Sequence, residues 1–234
     1  MLISSNCSLL VNLKRSIILL GSATLMYVAL SGIVQADVFV ITSSDNSTNG
    51  VGIKNGESAG PIAAEAIDGG DTVSLAVDLT TNISSIITSN LEDTDDGNTI
   101  IVSESGIITT KGDGAGAIYN LGDNNTTTVS GIITTKGNTT KRNKSYGILN
   151  KGHNNKTTVS GIILTKGDDA YGINNVGDNN TTTVSGSITT KDDDATGIYN
   201  SGDDNTTNVS ETGIITTKGD DAYGINNVGD NNTT

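Results

Sequence analysis

The stretch KGDDAYGINNVGDNNTT occupies residues 166–182 and recurs, letter for letter, at residues 218–234. A chain that repeats itself is built from equivalent structural units, so the period comes before any other reading. The glycine opening each GIITTK-like segment falls at Gly106, Gly131, Gly161, Gly186 and Gly213, giving spacings of 25, 30, 25 and 27 residues. The longest spacing comes from an insertion at residues 138–144, where Asn-Thr-Thr-Lys-Arg-Asn-Lys replaces a two-residue turn. Val209-Ser210-Glu211-Thr212-Gly213 lengthens another turn by two residues, and Val102-Ser103-Glu104-Ser105-Gly106 has the same form. Insertions confined to turns leave strands in register.

Each unit reads as three β segments. In the third they are Gly161-Ile162-Ile163-Leu164-Thr165, Tyr171-Gly172-Ile173-Asn174 and Thr181-Thr182-Thr183-Val184. β-Branched Ile, Val and Thr favour extended backbone. The Gly, Asn and Asp between the segments tolerate left-handed turn conformations. Three strands in about 25 residues make one coil of a solenoid with coils stacked at the interstrand spacing. The predicted fold is all-β: a right-handed parallel β-helix.

Stacking identical units puts identical side chains above one another. The second Ile recurs as Ile108, Ile133, Ile163, Ile188 and Ile215, whereas the first becomes Ser187 in one unit, so the second is placed inward. Ile118, Ile148, Ile173, Ile198 and Ile225 form another column, and Val129, Val159, Val184 and Val209 a third. These three aliphatic columns predict a narrow dry core. One polar column is as regular: Asn120, Asn150, Asn175, Asn200 and Asn227. Stacked Asn amides satisfy one another along the axis, and this ladder is expected in a partly buried turn.

Residues 37–104 are less regular and read as degenerate N-terminal coils with a cap, Phe39 being suited to cover the open end. Residues 105–234 are the tandem repeats, the last incomplete. Residues 1–36 read as a secretory signal peptide. Lys14 and Arg15 precede an apolar run at residues 16–30, and Val34-Gln35-Ala36 is a small-x-small cleavage site. An uncleaved N-terminal anchor is the alternative, although the run is shorter than the roughly 20 residues a spanning helix needs. Without Lys14 and Arg15 the 13 Lys+Arg become 11, which against 26 Asp+Glu leaves a charge of −15. That charge works against nucleic-acid binding, which needs clustered cations. The single cysteine, Cys7, lies in the signal, so the mature chain has no disulfide framework.

Tandem units of the form GIITTKGDDAYGINNVGDNNTTTVS behind a signal peptide resemble the passenger region of bacterial autotransporters. The resemblance covers roughly residues 102–234 well and 37–105 loosely. It implies a parallel β-helix carried to the cell surface through a C-terminal outer-membrane β-barrel. No alternating strands of such a barrel follow the repeats. The last unit stops at Thr234 before its expected Val, so the chain reads as a fragment or truncated product. Membrane association would come only through that missing barrel.

Chemistry is sparse. His153 stands where the other units carry Asp123, Asp178, Asp203 and Asp230, and no triad partner is evident. No catalysis and no cofactor are expected. Asp168, Asp169, Asp220 and Asp221 are weak Ca²⁺ candidates, because carboxylates at turns can hold Ca²⁺ between coils, as in RTX-type β-rolls. The nine-residue period of such rolls is lacking. Outward Thr-x-Thr rows such as Thr126/Thr128 suggest an ice-matching face, but Lys156 and Asn208 interrupt it. Lys141, Arg142 and Lys144 form the one electropositive patch expected on an acidic rod, a candidate contact loop. The function expected is therefore a non-enzymatic, exported surface solenoid, adhesive or structural, meeting an unknown host or cell-surface ligand. A calcium-binding secreted repeat protein and a non-functional fragment of an autotransporter are the alternatives.

Overall fold

A computed structural model describes strand segments between residues 38 and 88 and, from residue 97 onward, all residues except Asp113, Ala115 and 138–143. The signal segment and its cleavage site lie outside the described residues. Every regular element described is a strand. The first three are β1 (Val38–Ser43), β2 (Val51–Lys54) and β3 (Glu57–Pro61). Six triplets follow. They are β4 (Thr72–Leu75), β5 (Asp78–Thr81) and β6 (Ile87–Thr88); β7 (Thr99–Val102), β8 (Ile107–Lys111) and β9 (Gly116–Leu121). Next come β10 (Thr126–Val129), β11 (Ile132–Lys136) and β12 (Tyr146–Lys151); β13 (Lys156–Val159), β14 (Ile162–Lys166) and β15 (Tyr171–Val176). The last are β16 (Thr181–Val184), β17 (Ser187–Lys191) and β18 (Thr196–Ser201); β19 (Thr206–Val209), β20 (Ile214–Lys218) and β21 (Tyr223–Val228).

Each triplet sends one strand to each of three sheets, and every strand from β4 onward pairs in parallel with its counterpart one coil away. The result is a β-solenoid. Sheet A runs β19-β16-β13-β10-β7-β4-β1-β2-β3, sheet B runs β20 to β5 and sheet C runs β21 to β6. Its step follows the sequence period: Thr126 pairs with Thr99 and Lys156, and Thr181 with Lys156 and Thr206, steps of 27, 30, 25 and 25 residues. The N-terminal end departs from this rule. There β1, β2 and β3 pair antiparallel and finish sheet A, with Pro61 on the outermost strand, the place in a sheet where proline is tolerated.

Alternation along each strand sets what is inside. Ile108, Ile133, Ile163 and Ile188 from sheet B, Ile118, Ile148, Ile173 and Ile198 from sheet C, and Val129, Val159 and Val184 from sheet A are fully buried. Their neighbours one residue earlier in sheet B face outward, with Ile162 46% exposed. The aliphatic columns stand where the repeat places them. The interior is not purely aliphatic: Thr110, Thr135, Thr165 and Thr190, Thr127, Thr157, Thr182 and Thr207, and two sets of asparagines are buried beside these columns. About half of each coil's interior is polar because inward positions of the strands carry Thr and Asn as well as Ile and Val.

Candidate functional site

Two asparagine ladders run through the interior. In the first, the amide of Asn120 donates to Oδ1 of Asn150 at 2.6 Å. Asn150 donates to Asn175, Asn175 to Asn200 and Asn200 to Asn227, each at 2.7 Å. The second amide hydrogen goes to a threonine seven residues on: Asn120 to Thr127 Oγ1, Asn150 to Thr157, Asn175 to Thr182 and Asn200 to Thr207, between 2.8 and 3.1 Å. These asparagines do not sit in a partly buried turn. They lie within strands of sheet C and, up to Asn200, are at most 1% exposed. The strand continues to Val176, and Asn175, two residues beyond Ile173, falls on the same inward face.

The second ladder uses the last residue of each Gly-Asp-Asn-Asn turn, and the sequence reading passed over it. The backbone N–H of Asn98 donates to Asn125 Oδ1, that of Asn125 to Asn155, of Asn155 to Asn180, of Asn180 to Asn205 and of Asn205 to Asn232, at 2.8–2.9 Å. The unbroken recurrence of this asparagine was the available signal. The residue before it occupies the left-handed region in every repeat, as in Asn124, Asn154 and Asn179. Gly177 opens one such turn at φ 125°, and a Cβ there would lie 2.3 Å from the Gly152 carbonyl oxygen of the adjacent coil. Only glycine lets successive turns approach this closely.

His153 belongs to a third ladder, on the outer edge of the same turns. Asp123 Oδ1 accepts from the His153 N–H at 2.7 Å, and His153 Nδ1 accepts from the Asp178 N–H at 3.0 Å. Asp178 Oδ1 then accepts from Asp203, and Asp203 Oδ1 from Asp230. An imidazole nitrogen that accepts stands in for a carboxylate oxygen, which explains how His replaces Asp here.

The Ca²⁺ candidates lie in the turns between sheets B and C. Asp168 and Asp169 are separated from Asp220 and Asp221 by the coil carrying residues 192–194, so the four do not come together. Asp193 Oδ1 accepts from the Asp220 N–H at 3.0 Å, and Asp192 Oδ2 from the Gly167 N–H at 3.0 Å. Asp169 and Asp221 take left-handed turn conformations. Among the described residues no three His, Cys, Asp or Glu side chains converge to hold a metal ion.

Of the candidate contact loop, Lys141 and Arg142 lie outside the described residues. Lys144 places its Nζ 5.5 Å from the centre of the Tyr171 ring. Partial burial works against its charge, but Tyr171 and Tyr146, with Asp169, hold its pKa above the ordinary lysine value. It stands beside a row of rings on sheet C: Tyr119 meets Tyr146 edge-on at 6.0 Å, Tyr146 stacks on Tyr171 at 5.7 Å, and Tyr171 meets Tyr199 edge-on at 5.5 Å. Burial raises the pKa of both Tyr119 and Tyr146.

A second set of cations is aligned by the stacking. Lys111, Lys136, Lys166, Lys191 and Lys218 pair in register along sheet B and form a column on its outer face. Each closes a GIITTK-type segment, so this signal too was in the repeat. The outward threonines of sheet A are interrupted in register by Lys156 opposite Thr126 and Thr181, and by Asn208 opposite Thr183.

Among the described residues no helix is long and apolar enough to cross a membrane. No protein-family model, no curated protein and no solved structure matches the chain.

Proposed function

We propose that this protein is a non-enzymatic, exported surface rod of the autotransporter-passenger type, with an adhesive or structural role. The observation that carries this reading is the continuity of the side-chain ladders from coil to coil. A solenoid whose interior is bonded along its axis resists bending and holds its outer faces and turns at fixed intervals. Activity in such a molecule is geometric: repeated surface columns meet repeated groups on a partner, and inserted turns add local contacts. The signal-like segment at residues 1–36 supports export.

The test expresses the full chain in a Gram-negative host and determines where it goes. The expected result is a product beginning at Asp37 outside the cytoplasm, with repeats accessible to added protease. Retention of the intact chain in the cytoplasm overturns the export reading. Circular dichroism in EDTA and in added Ca²⁺ separates a rod from a calcium-dependent roll. Unchanged β signal is expected, and a large gain with Ca²⁺ transfers the assignment to the roll.

A further inference from the structure

The outer face of sheet B presents three parallel columns. Next to the turn with sheet C are Lys111, Lys136, Lys166, Lys191 and Lys218. Inside them run Thr109, Thr134, Thr189 and Thr216, with Leu164 in the middle coil. Farthest from the lysines are Ile107, Ile132, Ile162 and Ile214, with Ser187 breaking the series. In the middle of the stack Ile162 is 46% exposed, and Ile107 and Ile132 are partly exposed, so aliphatic surface is accessible on this face.

Parallel strands bring one lysine into line about every 4.8 Å along the axis. Like charges directly opposite each other across strands repel. Among the described residues, no close ion pair involves these lysines. The turn beyond them is acidic, with Asp168 and Asp169, Asp192, Asp193 and Asp194, and Asp220 and Asp221, but these carboxylates lie to one side of the column and are not in close ion pairs with it. The five aligned ammonium groups, none in a close ion pair, match on their threonine side an anion that repeats with the coil.

We propose that this face binds a linear acidic polysaccharide laid along the solenoid axis, with its acidic sugars in step with the coils. The carboxylate or sulfate of an acidic sugar meets a lysine, its hydroxyls meet the threonines, and the C–H face of its ring covers the isoleucine column. Such a chain uses all three columns at once. A planar anionic membrane is a poorer fit, because a broad negative surface would also face the acidic turns bordering the lysines. A single polymer strand fits on the threonine side of the lysines, away from those turns. The proposal concerns the purified molecule and stands independently of its export.

Binding of the full chain to polygalacturonate, dextran sulfate, uncharged dextran and anionic phospholipid vesicles tests it. Capture of at least one acidic polymer is expected, weakening as salt rises, with no capture of uncharged dextran. The Lys136→Gln/Lys166→Gln/Lys191→Gln variant should lose about tenfold or more in affinity. Its circular dichroism should be unchanged and its melting temperature no lower, because the three side chains point outward and their mutual repulsion is removed. A Lys151→Gln/Lys156→Gln control on the other two sheets should stay within about twofold of the parent. Preference for the carboxylated or the sulfated polymer identifies which acidic group the column takes. Absence of binding, equal losses in the two variants, or tighter binding to vesicles than to either polymer overturns the proposal without touching the rod reading.

Discussion

The first coils and the repeat coils fill the same interior position in different ways. In sheet A, Val73 pairs with Ile100 and Ile100 pairs with Thr127, from which the column continues as Thr157, Thr182 and Thr207. All six are buried to 1% exposure or less. The N-terminal coils therefore exclude water there with aliphatic carbon. The repeat coils place a hydroxyl at the same spot, and an asparagine from sheet C donates to it. Hydrophobic burial is indifferent to small errors of register. A hydrogen bond is directional and fails when its partner is left unpaired. The repeat coils thus gain a fixed stacking register, and they depend on every member of the ladder being present.

That contrast can be broken most severely at the centre of the ladder. Asn175→Leu leaves the Asn150 amide without its acceptor and the Asn200 Oδ1 without its donor. It should cost about 3–5 kcal/mol in denaturant unfolding. Two residues inserted between Asp178 and Asn179 should cost roughly 3 kcal/mol, because the outer carboxylate ladder and the Asn180 ladder both lose register. The same pair inserted between Ser103 and Glu104 should cost only about 0.6 kcal/mol, as expected for lengthening a surface loop. Equal losses at the two positions would show that the ladders do not govern turn length.

Two substitutions of the same chemistry sharpen the comparison because they should differ in sign. Thr182→Val removes the acceptor of the Asn175 amide and should destabilise by about 1–2 kcal/mol. Thr165 is equally buried, but its Oγ1 has no partner among the described residues, so Thr165→Val should be neutral or stabilise by up to about 1 kcal/mol. Thermal melts of the two variants check this directly.

The smallest effect concerns the tyrosine row. Burial keeps Tyr119 and Tyr146 neutral above the ordinary tyrosine pKa of 10.0. A folded-state pKa above the unfolded value gives stability that is complete below pH 10.0 and is lost as pH rises through the folded values. Phenolate absorbance should therefore show part of the tyrosine content ionising late, with a modest fall in melting temperature over the same alkaline range. Unfolding at a lower pH than the tyrosine titration would assign the loss to another group.

Much of the solenoid is legible in the repeat itself. The period locates the coils, the turn residues locate the connections, and the column that tolerates Ser187 identifies the outward side of sheet B. The sheet C strands were drawn too short, because Asn is a common turn residue and ended the segment at Asn174. Tertiary stacking overrides that preference when a neighbouring coil supplies an amide partner. The asparagine of the second ladder was counted only among the turn residues. The lysine column was visible letter by letter, yet lysines 25 to 30 residues apart become one feature only when the coils are superposed.

The sequence by itself determined the period, the three strands of each coil and the aliphatic columns, because these follow from side-chain alternation and local turn chemistry. Only the tertiary structure decided that the core is half polar, that His153 Nδ1 accepts the bond a carboxylate oxygen accepts in other coils, and that five lysines share an edge. Each of these depends on groups from different coils meeting at hydrogen-bond or Coulomb distance. That distance is set by the stacking of backbones, which no single repeat contains.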